Sequence, residues 1–257
     1  MNLHQLYLTE NDCYKRGKYI TPKGVMVHST GAENPNLKRY VGPDDGFLGV
    51  NQNNNDWNRS GVGACVHAFI GLLADRSVAT YQTLPWNMRG WHCGDDANST
   101  HVSFEICEDD LTDPEYFAAV YREAVELTAY LCEMYGLDPI EDGVVICHAE
   151  GARLGIASNH GDVEHWFPRF GKSMDDFRND VKEELEMDSY EKFKENMERY
   201  RQELREQPTS DWFQQQDQAA VEALGIFKPD GVVTYPQDLI TREQVGALFA
   251  RYDERRG

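Results

Sequence analysis

Gly24-Val-Met-Val-His28-Ser-Thr30 is an apolar run that delivers one imidazole at its end. Val25, Met26 and Val27 read as a buried strand, and His28 is a polar group that core packing does not require. Three further stretches have the same character: Ala64-Cys-Val-His-Ala-Phe-Ile-Gly71, Val102-Ser-Phe-Glu-Ile-Cys107 and Val144-Val-Ile-Cys-His148. Ser77 to Gln82 pairs with the first of these as a hairpin, turned at Asp75-Arg76. Asp113-Pro114 opens a helix with an N-cap and a proline at its first position, and Gly136 closes it. Ser173-Met-Asp-Asp176 resembles a capping box for another helix. Strands and helices interleave, so the expected fold is α/β, a mixed central β-sheet flanked by helices.

The remainder divides by composition. Residues 1–23 read as a lead-in loop, and 31–62 as a long polar connection with a short helix near Asn36 to Tyr40. Over 183–206 acids and bases alternate around a stripe of Tyr190, Phe193, Met197, Tyr200 and Leu204, which reads as an amphipathic spacer helix. Gln207-Pro-Thr-Ser-Asp211 breaks it, and short helices follow. The expected division is therefore 1–182, a first and larger domain; 183–206, the spacer; and 207–257, a small helical C-terminal domain. Self-association through 187–206 or through the C-terminal segment is a further reading of the stripe.

The chain has 257 residues and a formal net charge of −19. Nucleic acid and anionic lipid reward an excess of Lys and Arg, so neither is an expected partner. No apolar run reaches the roughly 18–20 residues of a spanning helix, so membrane insertion is not expected either. The first residues lack the basic start and apolar core of a signal peptide. The expectation is synthesis in the cytoplasm, with action on any external target only after release. Six cysteines without a Cys-x-x-Cys pair suit a reducing compartment better than a disulfide scaffold.

Three strand-like segments carry His28, Glu105 and His148 at or near their ends, where α/β sheets place chemistry. Two strands side by side would bring His28 and His148 together. Asp162 follows through a loop containing Gly151, Gly155 and Gly161. A His-His-Asp set leaves a fourth position open, the pattern of a catalytic zinc site. His67, His92, His101, His160 and His165 compete for the same roles, with His165 the rival third ligand. A Cys–His nucleophile pair using Cys93 or Cys107 is the rival chemistry.

Taken in order, Val25-Met-Val-His28-Ser-Thr30, Trp91-His92-Cys93-Gly94, Val102-Ser-Phe-Glu105-Ile-Cys-Glu108, Cys147-His148 and His160-Gly-Asp162 resemble the zinc-dependent N-acetylmuramoyl-L-alanine amidases of the peptidoglycan-recognition and phage-lysozyme type, closest to endolysins. The resemblance runs from about Gly24 to Phe177. It implies Zn2+ as cofactor, held by His28, His148 and Asp162, and peptidoglycan as partner. It also implies Glu105 as the group that handles the proton of the attacking water. His160 stands where many members carry Lys and would stabilise the developing oxyanion. His67 falls near a position often held by Tyr, and Trp91 and His92 either line the substrate groove or pack their loop shut. The reaction implied is hydrolysis of the amide between N-acetylmuramic acid and L-alanine. A module that binds muropeptides without cleaving them is the alternative.

Glu108 is expected to be a solvated strand-end charge, His101 a surface residue, and His165-Trp-Phe167 structural. Ala220-Val-Glu-Ala-Leu-Gly-Ile226 and Leu239-Ile-Thr-Arg-Glu-Gln244 are similar to one S-layer-homology repeat, which implies wall binding by the C-terminal segment.

Overall fold

The computed structural model describes residues 1–206. Six strands form one sheet: β1 (Leu3–Gln5), β2 (Gly24–Ser29), β3 (Ala68–Leu72), β4 (Val78–Gln82), β5 (His101–Ile106) and β6 (Val145–Cys147), in the order β1-β4-β3-β5-β2-β6. β2 is buried throughout because it lies between β5 and β6, parallel to both. Only β3 and β4 are antiparallel, so the sheet is mixed as expected.

Pleating gives this sheet two unlike faces. Val25, Val27, Val102, Phe104, Val145 and Cys147 point to one side, into the main core. There they meet α2 (Pro114–Tyr135), whose Phe117, Val120, Ala124, Leu127 and Leu131 form the facing stripe. Asp113 caps α2 by accepting from the backbone of Glu115 and Tyr116, and Gly136 ends it at φ 64°. The alternate residues, including Met26, His28, Ser103, Glu105 and Ile146, face the opposite side. The core therefore fixes which side the polar groups occupy.

At the outer edge of β6 two side chains stand in for a missing strand. Arg178 donates to the Val145 carbonyl at 2.9 Å, and Glu150 accepts from the Cys147 amide at 3.0 Å. The same two residues form a two-bonded ion pair. An edge closed in this way offers little to a foreign strand.

Several expectations need correction. Residues 1–23 are not merely a lead-in: they contain β1, which pairs with β4, and α1 (Asp12–Arg16), capped by Asn11. The stretch 64–71 joins the ladder with β4 only from Ala68, because Cys65 pairs with Trp91 instead. Cys13 and Cys65 form a disulfide, against the expectation of fully reduced thiols; Cys93, Cys107, Cys132 and Cys147 are free and buried. Ser173 and Asp176 form the expected reciprocal cap. The helix it opens, α4 (Met174–Glu206), runs through 182/183 without interruption, since no Gly or Pro intervenes.

The chain divides into two units, Met1–Glu186 and Met187–Gly257. In the second, Met187, Tyr190, Phe193 and Tyr200 are exposed on α4. The C-terminal segment 207–257, with its S-layer-homology-like repeat, lies outside the described residues. Among the described residues no helix is long and apolar enough to cross a membrane.

Candidate metal centre

His28 occupies the last turn of the pleat in β2, and His148 begins α3 (His148–Arg153) directly after β6. Because β2 and β6 are neighbours, the two imidazoles meet edge to face, with ring centres 4.9 Å apart. The loop after α3 folds back and places Asp162 against both. Asp162 Oδ2 lies 3.1 Å from His28 Nδ1 and 3.0 Å from His148 Nδ1, and the two nitrogens are 3.2 Å apart. Asp162 adopts φ 37°, a left-handed conformation that Asp tolerates better than most residues and that aims its carboxylate into this corner.

Three atoms bearing lone pairs at such distances repel unless positive charge lies among them. Around a four-coordinate zinc with ligands near 2.0–2.1 Å, donor atoms are about 3.3 Å apart. The triangle of 3.0–3.2 Å edges matches that spacing, and the donors suit zinc chemically. Among the described residues these three form the one group of His, Cys, Asp and Glu able to hold a metal ion. Burial alone would raise the Asp162 carboxyl, but the adjoining His148 and His28 imidazoles outweigh it and hold it well below the usual carboxylate range. Burial lowers the His28 imidazole, with Asp162 opposing.

Glu105 lies in register with His28 on the adjacent strand, on the same face. Its Oε2 is buried with no hydrogen-bond partner. Burial, then the nearby Asp162 and Glu108 carboxylates, push its pKa well above the ordinary value. Its proton affinity is thus raised in its place beside the triangle. His160 is exposed and stacks on His148, ring centres 4.7 Å apart.

A profile of the N-acetylmuramoyl-L-alanine amidase family matches residues 18–165, a span that contains the whole donor triangle. The chain belongs to this family. Its fold resembles Staphylococcus aureus hydrolase AmiA, solved in complex with its ligand, at 20% identity and TM-score 0.53, over 72% of this chain and 83% of that one. It also resembles a mutant endolysin from Bacillus subtilis (21% identity, TM-score 0.47, 70% and 99% covered) and PlyL (20%, 0.46, 70% and 96%). At these identities the likeness is one of fold. Comparison with curated protein sequences gives no significant match.

In this amidase-family chain the other candidates fall into place by burial. His67 is fully buried; its Nε2 donates to the Met88 carbonyl at 2.7 Å and its Nδ1 accepts from the Ser103 amide at 2.9 Å. A ring so enclosed has no surface for substrate. Trp91 packs on the cluster around Cys13 and Cys65. His92 turns its Nδ1 to His28 Nε2 at 3.0 Å. His101 is buried, not on the surface, because its ring packs over Gly24 and its Nε2 bonds the Gly143 carbonyl at 3.0 Å. Glu108 is buried as well, not solvated: it accepts from the Gly31 amide and pairs with His165 Nε2, both at 3.1 Å. His165 is thereby held away from the triangle, while Trp166 and Phe167 are core residues.

Two supporting residues had no signal in the sequence. Ser158 Oγ lies 3.1 Å from His148 Nε2, and buried Asn98 accepts from the amides of His92 and Cys93. Single polar residues in loops announce nothing by pattern.

Proposed function

We propose that this chain hydrolyses the amide bond between the lactyl group of N-acetylmuramic acid and L-alanine in peptidoglycan, with Zn2+ held by His28, His148 and Asp162. The observation that carries the reading is the donor triangle lying beside a carboxyl with one buried, unpartnered oxygen, within a chain of this family. Zinc bound there supplies Lewis acidity, which makes water nucleophilic at neutral pH and polarises a carbonyl.

The chain's own residues do the rest. Glu105 accepts a proton from the attacking water and returns it to the departing nitrogen. The water oxygen bonds to the lactyl carbon, the C–N bond breaks, and the products are a lactyl carboxylate and the free amino terminus of L-alanine. In this reading His160, exposed and stacked on His148, donates a hydrogen bond to the oxygen that gains charge, a contribution typically of about 2.7–4 kcal/mol for a well-aimed donor. The sequence resemblance further supports an endolysin role, with the chain reaching the wall on release and the C-terminal segment binding it.

Purified peptidoglycan is incubated with the protein, with and without chelator, and new amino termini and new reducing sugar ends are assayed separately. New amino termini that vanish with chelator and return with zinc are expected. New reducing ends would mean glycosidic cleavage and overturn the reading; no cleavage would leave a muropeptide-binding module.

A further inference from the structure

The tripeptide Trp91-His92-Cys93 reaches His28 directly, through the His92 ring, and His148 by way of Ser158. It is firmly held. Cys65 and Trp91 exchange two backbone hydrogen bonds, of 3.1 and 3.0 Å. Asn98 Oδ1, buried, accepts from the amides of His92 at 2.7 Å and Cys93 at 3.1 Å. A Cβ on Gly90 would come within 2.9 Å of the His92 ring, so the chain is pressed close at that point.

On the His148 side the proton positions follow from counting donors. Ser158 Oγ donates to the Cys93 carbonyl at 2.9 Å, which uses its one proton. Only its lone pairs remain for His148 Nε2, 3.1 Å away. Nε2 of His148 must therefore carry hydrogen, and a neutral imidazole with hydrogen there presents a bare lone pair at Nδ1. That nitrogen is the one that faces Asp162 and His28.

On the His28 side the partner is His92, Nδ1 to Nε2 at 3.0 Å. The opposite nitrogen of His92, Nε2, is buried and unpartnered. A buried N–H or lone pair without a partner is costly, and the residue holds that position nonetheless. When His28 Nδ1 presents a lone pair, its Nε2 carries the proton and His92 Nδ1 is the acceptor.

We propose that His92 and Ser158 are positioning residues that fix the tautomer and aim of His28 and His148, through the single braced segment 91–93. This rests on the metal reading above. His92 then acts on the metal ligand from behind and not as a wall of the substrate groove. Removal of such outer partners from ligating histidines typically costs 10–100-fold in metal affinity.

The test is zinc affinity of the full chain, measured by competition with a chromophoric chelator and without substrate. Ser158→Ala, in an exposed loop, and His92→Phe, of similar bulk, are each expected to weaken zinc binding at least about 10-fold. His92→Asn, which returns an acceptor near Nδ1, is expected to recover most of the loss, which a purely space-filling role for the ring would not give. Melting of the metal-free proteins separates these effects from failure to fold; should His92→Phe not fold, Ser158→Ala decides. Affinities within 3-fold of the parent in both variants overturn the positioning role while leaving the metal site standing. A parent chain that takes up no zinc overturns the metal reading and this proposal with it.

Discussion

Glu105 lies directly across from His28 on the neighbouring parallel strand, and Phe69 of β3 occupies the same row on its other side. Apolar packing on one flank and the donor triangle on the other explain why its Oε2 finds no partner. Glu105→Gln keeps the shape of the side chain and removes the proton traffic. Zinc content should be unchanged and turnover should fall by about 10²–10⁴. Because the folded carboxyl titrates above its unfolded value, the folded state loses stability as pH rises past the unfolded pKa. The metal-free Gln variant should therefore melt no lower than the parent at pH 7. Loss of zinc from it would contradict the assigned role.

Acid should weaken the fold before most carboxylates titrate. Burial lowers His67 to about 4, whereas an unfolded His titrates near 6.5. The unfolded chain thus takes up the proton first. Stability from a neutral buried His67 is complete above pH 6.5 and lost as pH falls through 4, up to about 3 kcal/mol. His28, His92 and His101 are also lowered by burial and act with the same sign. Urea midpoints measured in chelator should drop steadily between pH 7 and pH 4.5; a flat profile would rule this out.

The edge of β6 gives a third expectation. Arg178→Ala leaves the Val145 carbonyl bare and Glu150 without its cation, both in a partly buried setting. A cost of about 1–3 kcal/mol follows from the unpaired groups. Denaturant unfolding measures it, and a change under 0.5 kcal/mol would show that solvent replaces the pair freely.

Reductant provides a fourth. The Cys13–Cys65 bond spans 52 residues, and closing a loop of that size restricts the unfolded chain by about 4 kcal/mol in the chain-entropy account. Dithiothreitol should lower the unfolding midpoint. The paired Cys13→Ser, Cys65→Ser variant should match the reduced parent and ignore the reagent.

The parts of this molecule that could be read in advance are those whose signals are local. β2, β5 and β6 declare themselves as apolar runs, α2 by its Asp113-Pro114 start and Gly136 stop, and the β3–β4 turn by Asp75-Arg76. β1 has three residues, two of them exposed, and exists only because β4 lies beside it. The pairing of Cys13 with Cys65 is non-local for the same reason. His101 and Glu108 looked exposed because a charge or imidazole at a strand end usually is; each is buried by a partner remote in sequence, Gly143 and His165. The composition shift near 183 marks a change of surface chemistry within one helix, α4, which continues across it. Within the site, the residue types of the triangle were legible, whereas their supports, Ser158 and Asn98, depend on loop geometry.

The pleat of β2 has a consequence for how errors in this protein would appear. Val27 and His28 are adjacent, one committed to the core and the other to the triangle. A strand that slipped by one residue would exchange them, sending an imidazole into hydrocarbon and a valine to the ligand position. No misregistered form can therefore be well packed and reactive toward metal at once. Inactive copies of this kind would also be the ones with exposed apolar surface, open to the proteases and chaperones that sort badly folded chains.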